Sequence, residues 1–198
     1  MRCLILCSVI LGWCAMAQQS APPASGTEAM YQAAARSAQK KFDHIRQNGT
    51  LPHPDQTPTK LSENEINAWL ASGEARLPQG VKKLQVRGEP GIINAIAFVD
   101  FDEITAGRRS GNPFLSMFRG THEVEAQAHA QGSGGEGQVH IDSVSLDGVE
   151  IPRMALEFFV EKYIQPKHPD IGIDSTFKLP YRIDIAIVGS HQLTMTQK

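Results

Sequence analysis

Residues 146–165 read L-D-G-V-E-I-P-R-M-A-L-E-F-F-V-E-K-Y-I-Q, and the fold turns on what that run packs against. Asp147-Gly148 signals a turn, and Pro152 stands where a helix can begin. Beyond it Arg153, Glu157 and Glu161 recur on one side, while Met154, Leu156, Phe158, Phe159, Val160, Tyr163 and Ile164 take the rest. An apolar arc that wide exceeds what a surface helix needs, so this helix calls for a large partner. Phe158, Phe159 and Tyr163 are therefore expected in the core. Truncating either phenylalanine to alanine should then cost about 3–5 kcal/mol.

The partner is found in the strand-like stretches on either side. Residues 138–146 carry Val139 and Ile141, then Val144 and Leu146, and the change of parity near Ser143 is that of a bulge or sharp twist. Residues 121–130 alternate cleanly, with Val124, Ala126 and Ala128 one way and Glu123, Glu125, Gln127 and His129 the other. The glycine-rich stretch 132–137 joins the two as a flexible hairpin connection. In 92–101, Ile93, Ala95, Ala97, Val99 and Phe101 share one parity, and Ile92, Asn94, Ile96, Phe98 and Asp100 the other. Both faces are largely apolar, which predicts a strand covered at least in part on both sides. Residues 81–87 form a shorter strand whose alternation slips at Lys82-Lys83, and Glu89-Pro90-Gly91 is a turn. Downstream of the central helix and an irregular segment with Pro169 and Gly172, Ile183, Ile185 and Ile187 face one way along 182–188. Gly189-Ser190 turns the chain, and 191–196 returns with Leu193 and Met195 inward.

Two further helices precede the strands. In 28–47, Tyr31, Ala34, Ala35, Ala38, Phe42 and Ile45 fall at helical spacing, and the small residues let the helix approach another surface closely. Asn48-Gly49 ends it. Three prolines make 51–60 extended. Ser62 then caps a short helix, with Glu65 three residues on as a capping box requires and Leu61 and Ile66 as a staple across it. The whole predicts an α+β domain over 28–198: one curved antiparallel sheet of about six strands wrapped against a long N-terminal helix and the central helix.

Residues 1–17 have the order of a signal peptide. Arg2 is followed by a mostly apolar run to Trp13 and by Ala15-Met16-Ala17, with cleavage expected near Ala17. The Gln/Ser/Ala/Pro-rich stretch 18–27 is a flexible tether. The expectation is an exported chain, periplasmic or secreted. All three cysteines, Cys3, Cys7 and Cys14, fall in the signal, so neither disulfides nor thiol chemistry would remain. A formal charge of −2 argues against a nucleic-acid partner.

No catalytic constellation stands out, and no cofactor is implied. The seven histidines form no H-x-H or H-E-x-x-H pattern. A metal site from His129, His140 and His191 would need those distant residues to meet. Serine-nucleophile motifs are absent. Asp100 and Asp102 share a parity at a strand exit, about 6–7 Å apart, a spacing a hydrolase could use. The loop 102–120 is the most suggestive segment. It sets the bulky Phe114 and Phe118 between Arg108-Arg109 and Arg119, a pairing suited to an amphiphile's anionic head group or to a membrane surface.

L-S-E-N-E-I-N-A-W-L at 61–70, L-P-Q-G-V at 77–81, V-D-F-D at 99–102, I-D-S-V-S-L-D-G-V-E-I-P at 141–152 and L-P-Y-R-I-D at 179–184 form a set. Through it the chain resembles certain exported bacterial proteins and, more loosely, the LmeA-like and YpmS-like groups of the tubular lipid-binding type. The likeness runs over about 61–196. It implies a long helix cradled by a strongly curved antiparallel sheet, with an apolar groove for acyl chains and no catalytic residue. The strands here are few and short for a full tube, so a shallow groove is as consistent as a tunnel.

The function expected is non-catalytic binding of a lipid or other amphiphile in the bacterial envelope. Ile93, Ala95, Ala97, Val99, Phe158, Phe159 and Ile185 are the candidate walls. Arg108, Arg109 and Arg119 would meet an anionic head group, and Phe114 and Phe118 would gate the mouth or touch the membrane peripherally. The rivals are an envelope structural or protein-interaction module with a filled core, and a hydrolase using Asp100 and Asp102 or a histidine-based metal site.

Overall fold

The computed structural model describes residues 26–105, 119–166 and 172–198. The expected signal peptide and most of the expected tether lie outside the described residues, as do Arg108, Arg109, Phe114 and Phe118 of the basic–aromatic loop. Helix α1 (Gly26–Asn48) is followed by a short strand β1 (Thr59–Ser62) and helix α2 (Glu63–Ala71). Strands β2 (Val81–Glu89) and β3 (Ile92–Asp100) lead to the single-turn helix α3 (Phe101–Thr105). Strands β4 (Thr121–Ser133), β5 (Glu136–Leu146) and β6 (Val149–Glu150) precede helix α4 (Arg153–Phe159), which runs into a π-helical turn (Val160–Ile164). Strands β7 (Asp174–Lys178), β8 (Ile183–Gly189) and β9 (Gln192–Gln197) complete the described chain. The six longest strands, β2 to β5, β8 and β9, are those legible as alternation; β1, β6 and β7 are short additions to one open antiparallel sheet.

The sheet is organised about β4. Strand β5 runs along one edge of it, from Val124 to Ser133. The other edge carries β3 as far as His129, and then β8 takes over at Gln131 and Gly132. Strand β8 thus crosses the tips of both hairpins. The Gly91 N–H donates to Val188 O (3.0 Å) and the Gly135 N–H to Asp184 O (3.0 Å). A strand laid across two hairpin ends joins them into one sheet that stays open. The crossing also explains the glycine-rich stretch. Only Gly134 and Gly135 form the turn, both at positive φ as a tight two-residue hairpin demands. Gly132 and Gly137 lie inside the strands, opposite each other and buried. A Cβ on Gly132 would stand 2.8 Å from Ala186 Cβ, and one on Gly137 2.8 Å from the Phe177 ring. These glycines admit β8 and β7 and are not a loose tip.

The driest packing lies at the α1/α2 end. Ala38, Ile45, Leu61, Ile183 and Met195 form one buried cluster, with Phe42, Ile66, Trp69, Leu179, Ala186 and Leu193 packed against it. Helix α1 approaches closely because Ala35 and Ala38 are small. The capping box forms as its sequence requires. The Ser62 side chain accepts from the Glu65 N–H, and Glu65 accepts from the Ser62 N–H. Asn48 and Gln197 are the buried polar pair. Asn48 Nδ2 donates to Gln197 Oε1 (2.8 Å), and Gln197 Nε2 donates to Ile45 O and Tyr181 O (2.8 and 2.6 Å). The C-terminal strand is thereby tied to the end of α1.

Three expectations are corrected. First, Phe158 is not in the core: it is 49% exposed, and Met154 is 82% exposed. The sheltered stripe of α4 is Ala155, Leu156 and Phe159, continued by Val160. A helix seated on one partner buries positions i, i+1, i+4 and i+5, so apolar residues on its other side stay in solvent. Secondly, Ile185 and Ile187 are exposed while Ile183 is buried. The register slips between Ile183 and Ile185, so a bulge at Asp184 reverses the parity and turns Ala186 and Val188 inward. Thirdly, the β8–β9 turn is Ser190-His191, one residue later than the glycine suggests, with His191 at φ 54.

Candidate functional site

Side chains of residues paired across an antiparallel ladder point to the same face. Ladder pairing therefore assembles one apolar face from four strands. Ala95 stands opposite Val86 on β2 and Ala126 on β4, which in turn faces Val144 on β5. One step along, Ala97 faces Leu84 and Val124, and Val124 faces Leu146. One step the other way, Ile93 faces Ala128, which faces Ile141. Val99 ends the row opposite His122. Val99 and Val144 are buried, whereas Ile93, Ala95, Ala97, Val124, Ala126, Ala128 and Leu146 are only half-buried. The alanines keep the centre of this face low.

Helix α4 starts at the β5 edge of that face and ends beside Phe101, where β3 stops. The Ile151 N–H, just before the helix, donates to Val144 O (2.8 Å). At the other end the Phe159 ring meets Phe101 at 6.4 Å between centroids, and Phe101 meets His122 edge-on at 5.7 Å. Of the proposed walls, Ile93, Ala95, Ala97 and Val99 share one face, and Phe159 closes on its Val99 end. Phe158 points away, with Lys162 Nζ 5.6 Å from its ring centre. Ile185 belongs to the exposed side of β8. Arg119 is exposed, and its carbonyl bonds His122 Nε2 (3.1 Å). Sequence alternation alone picks out Val124, Ala126 and Ala128 but not their place beside Ala95 and Ala97, because strand parity does not state register.

The opposite face is polar and carries its histidines in carboxylate pairs. His129 and His140 do face each other across the hairpin. Each bonds an aspartate, His129 to Asp142 (2.8 Å) and His140 to Asp174, which also meets Arg153 Nη2 at 3.4 Å. His191 bonds Glu63 on α2 (2.8 Å), far from the hairpin pair. Among the described residues no cluster of three or more histidines, cysteines and carboxylates could hold a metal ion. On the apolar side, His122 Nδ1 bonds Asp147 (2.6 Å). That hydrogen bond raises the His122 pKa above its ordinary value and lowers that of Asp147. The Asp174 carboxyl is lowered by its bond to His140 and by the Arg153 charge.

Asp100 and Asp102 hold backbone. Asp100 Oδ1 accepts from the Glu103 N–H (3.2 Å), which starts α3 and stops β3, and Asp102 Oδ2 accepts from the Gly120 N–H (3.0 Å). Together they brace the two ends of the 102–120 loop. A shallow cavity of about 380 Å³ lies over β3, β4 and β5, lined by Asn94, Ile96, Glu125, Gln127, Ser143 and Ser145, with Ala95, Ala126 and Val144 of the row between them.

In comparisons with protein-family models, with curated proteins and with solved structures, nothing matches this chain.

Proposed function

We propose that the protein binds a lipid or similar amphiphile against the apolar face of β2 to β5, beneath α4, without altering it. The observation that carries this reading is the four-strand apolar face with a floor of alanines, left half-buried by a helix that shelters only one stripe. Such a face is shallow enough for an acyl chain, and the His122–Asp147 pair stands at its Val99 end. The driving force is burial of methylene groups, about 0.8 kcal/mol each, so a sixteen-carbon chain would gain on the order of 10 kcal/mol before large ordering costs. Arg119, with Arg108 and Arg109 from the same loop, would select an anionic head group. Phe114 and Phe118, outside the described residues, would gate the mouth. The order of residues 1–17 supports export, so the place of action is the periplasm or the outside of the cell. N-terminal sequencing of the exported product should then begin near Gln18.

The test is native mass spectrometry of protein purified without detergent from its own host, followed by lipid extraction. The expected result is a co-purifying amphiphile, reduced by Arg119→Glu if the head group sits at that mouth. A ligand-free protein that also takes up no fatty acid or phospholipid in vitro would end the proposal. The exposed Met154 and Phe158 on the outer side of α4 favour a second reading, docking of that helix face on a membrane or protein partner.

A further inference from the structure

The polar face of the sheet is not uniform. Near the β4–β5 hairpin its side chains satisfy one another: Gln131 Nε2 donates to Gln138 Oε1 (3.0 Å), and His129 and His140 are held by Asp142 and Asp174. At the β5–β6 end, Asp147 accepts from the Glu123 N–H and bonds the His122 ring, which belongs to the apolar side. Between these lie two ladder rows of a different character. One is Asn94, Gln127 and Ser143. The other is Ile96, Glu125, Ser145 and Glu150. Among the described residues none of their polar side chains forms a hydrogen bond or ion pair. They line the cavity of about 380 Å³, with Ala95, Ala126 and Val144 of the intervening row between them and Gly148 at its rim.

Neighbouring strands are about 4.8 Å apart and same-face neighbours along a strand about 6.8 Å, so the grid measures roughly 10 by 7 Å. That area and volume match one or two sugar rings, at the lower end of ordinary ligand sites. The donor set narrows the chemistry. Two amides and two hydroxyls both donate and accept, which suits vicinal hydroxyl groups. Glu125 and Glu150 only accept when ionised, and among the described residues no lysine or arginine lines the cavity; Lys83 and Arg87 stand on β2, Arg87 beside Asn94, both outside the lining. An anionic ligand is therefore repelled and a cationic group welcomed. Ile96, partly exposed in the floor, offers an apolar patch for ring C–H groups.

We propose that this cavity is a second ligand site, taking a polyhydroxylated ligand that carries an amino group, of the amino-sugar class. It lies on the opposite side of the sheet from the proposed lipid face and does not depend on that reading. Its test is an amide-resolved NMR titration of the ¹⁵N-labelled protein with four probes: glucosamine, glucose, butane-1,4-diamine and glucuronate. Glucosamine should shift the side-chain amide signals of Asn94 and Gln127 at lower concentration than glucose or the diamine, and glucuronate should leave them in place. Glu125→Gln or Glu150→Gln should weaken glucosamine roughly tenfold, the weight of one hydrogen bond to a charged group, and leave glucose unchanged. Gln127→Ala should weaken both sugars. The proposal fails if the diamine matches glucosamine, if glucuronate binds equally well, or if no probe moves those two amide signals while the spectrum stays that of the folded protein.

Discussion

The two ends of this molecule are built to different standards. At the α1/α2 end, Leu61, Ala38 and Ile45 are sealed and every polar group that goes inside is met, as in the Asn48–Gln197 pair. In the β2–β5 meander most apolar side chains of the inner row are left half-buried, and α4 buries no side chain of its own. Same residue types, different closure: the first region is sealed, and the second, on the proposed function, keeps surface in reserve for a ligand.

The largest effects should follow from damage to the sealed end. Leu61→Ala removes a side chain with no exposure and should cost about 2–5 kcal/mol in urea unfolding. Gln197→Ala leaves the Asn48 amide with Asp55 and the Ile45 carbonyl with the Gly49 N–H, but removes one bond from each and the side-chain donor to the Tyr181 carbonyl, so a loss of about 1–3 kcal/mol is expected in the same assay. A loss under about 1 kcal/mol in both variants would erase the contrast between the ends. Asn48 also lies in an Asn-Gly-Thr sequon, but its buried amide is committed to Gln197 and Asp55, so the folded protein cannot present it for glycosylation.

In the meander the two adjacent phenylalanines should separate. Phe159→Ala should destabilise measurably more than Phe158→Ala, whose half-exposed ring should cost less than about 1 kcal/mol. Equal large losses would return α4 to the fully buried helix that its composition suggests.

The smallest effects are in pH dependence, and they too divide the molecule. Burial pushes the Glu65 carboxyl up, but hydrogen bonds from Lys41, Ser37 and the Ser62 N–H, with the Lys41 charge, outweigh it and bring the pKa to about 2. A folded value below the unfolded one stabilises fully above about pH 4.5 and is lost as pH falls toward 2. Glu65→Gln should flatten that acid limb of the stability curve. His122 has the opposite sign. Its raised pKa gives stability complete below its ordinary value of 6.5 and lost as pH rises through the folded value. Asp147→Asn should remove that loss on the alkaline side and, because the Asp147 carboxyl is itself lowered, its own share of the acid limb, while the Glu65 share stays.

Local rules made much of this fold legible. Ser62 and Glu65 announced their capping box, the slip at Lys82-Lys83 appears as a register shift between Val81 and Lys83, and the parity change near Ser143 places Asp142 in a bulge. The β8 bulge at Asp184 left no mark, because Ile183, Ile185 and Ile187 alternate as if the strand were regular. The apolar face was half legible. Each strand shows its own alternation, but only ladder register sets Ala95 beside Ala126 and Val144. The polar cavity was illegible for the same reason, since Asn94, Gln127 and Ser143 are far apart in sequence and meet only through pairing.

A fluorescent fatty acid titrated into wild type and Ala126→Trp, with urea unfolding of both, probes the division most directly. The indole would fill the low centre of the apolar face and leave the α1/α2 core untouched. Acyl-probe binding should fall at least about tenfold, or 1.4 kcal/mol, with the unfolding midpoint near wild type. Undiminished binding by a folded Ala126→Trp protein, or no binding by the wild type, would contradict the assignment of this face to a lipid.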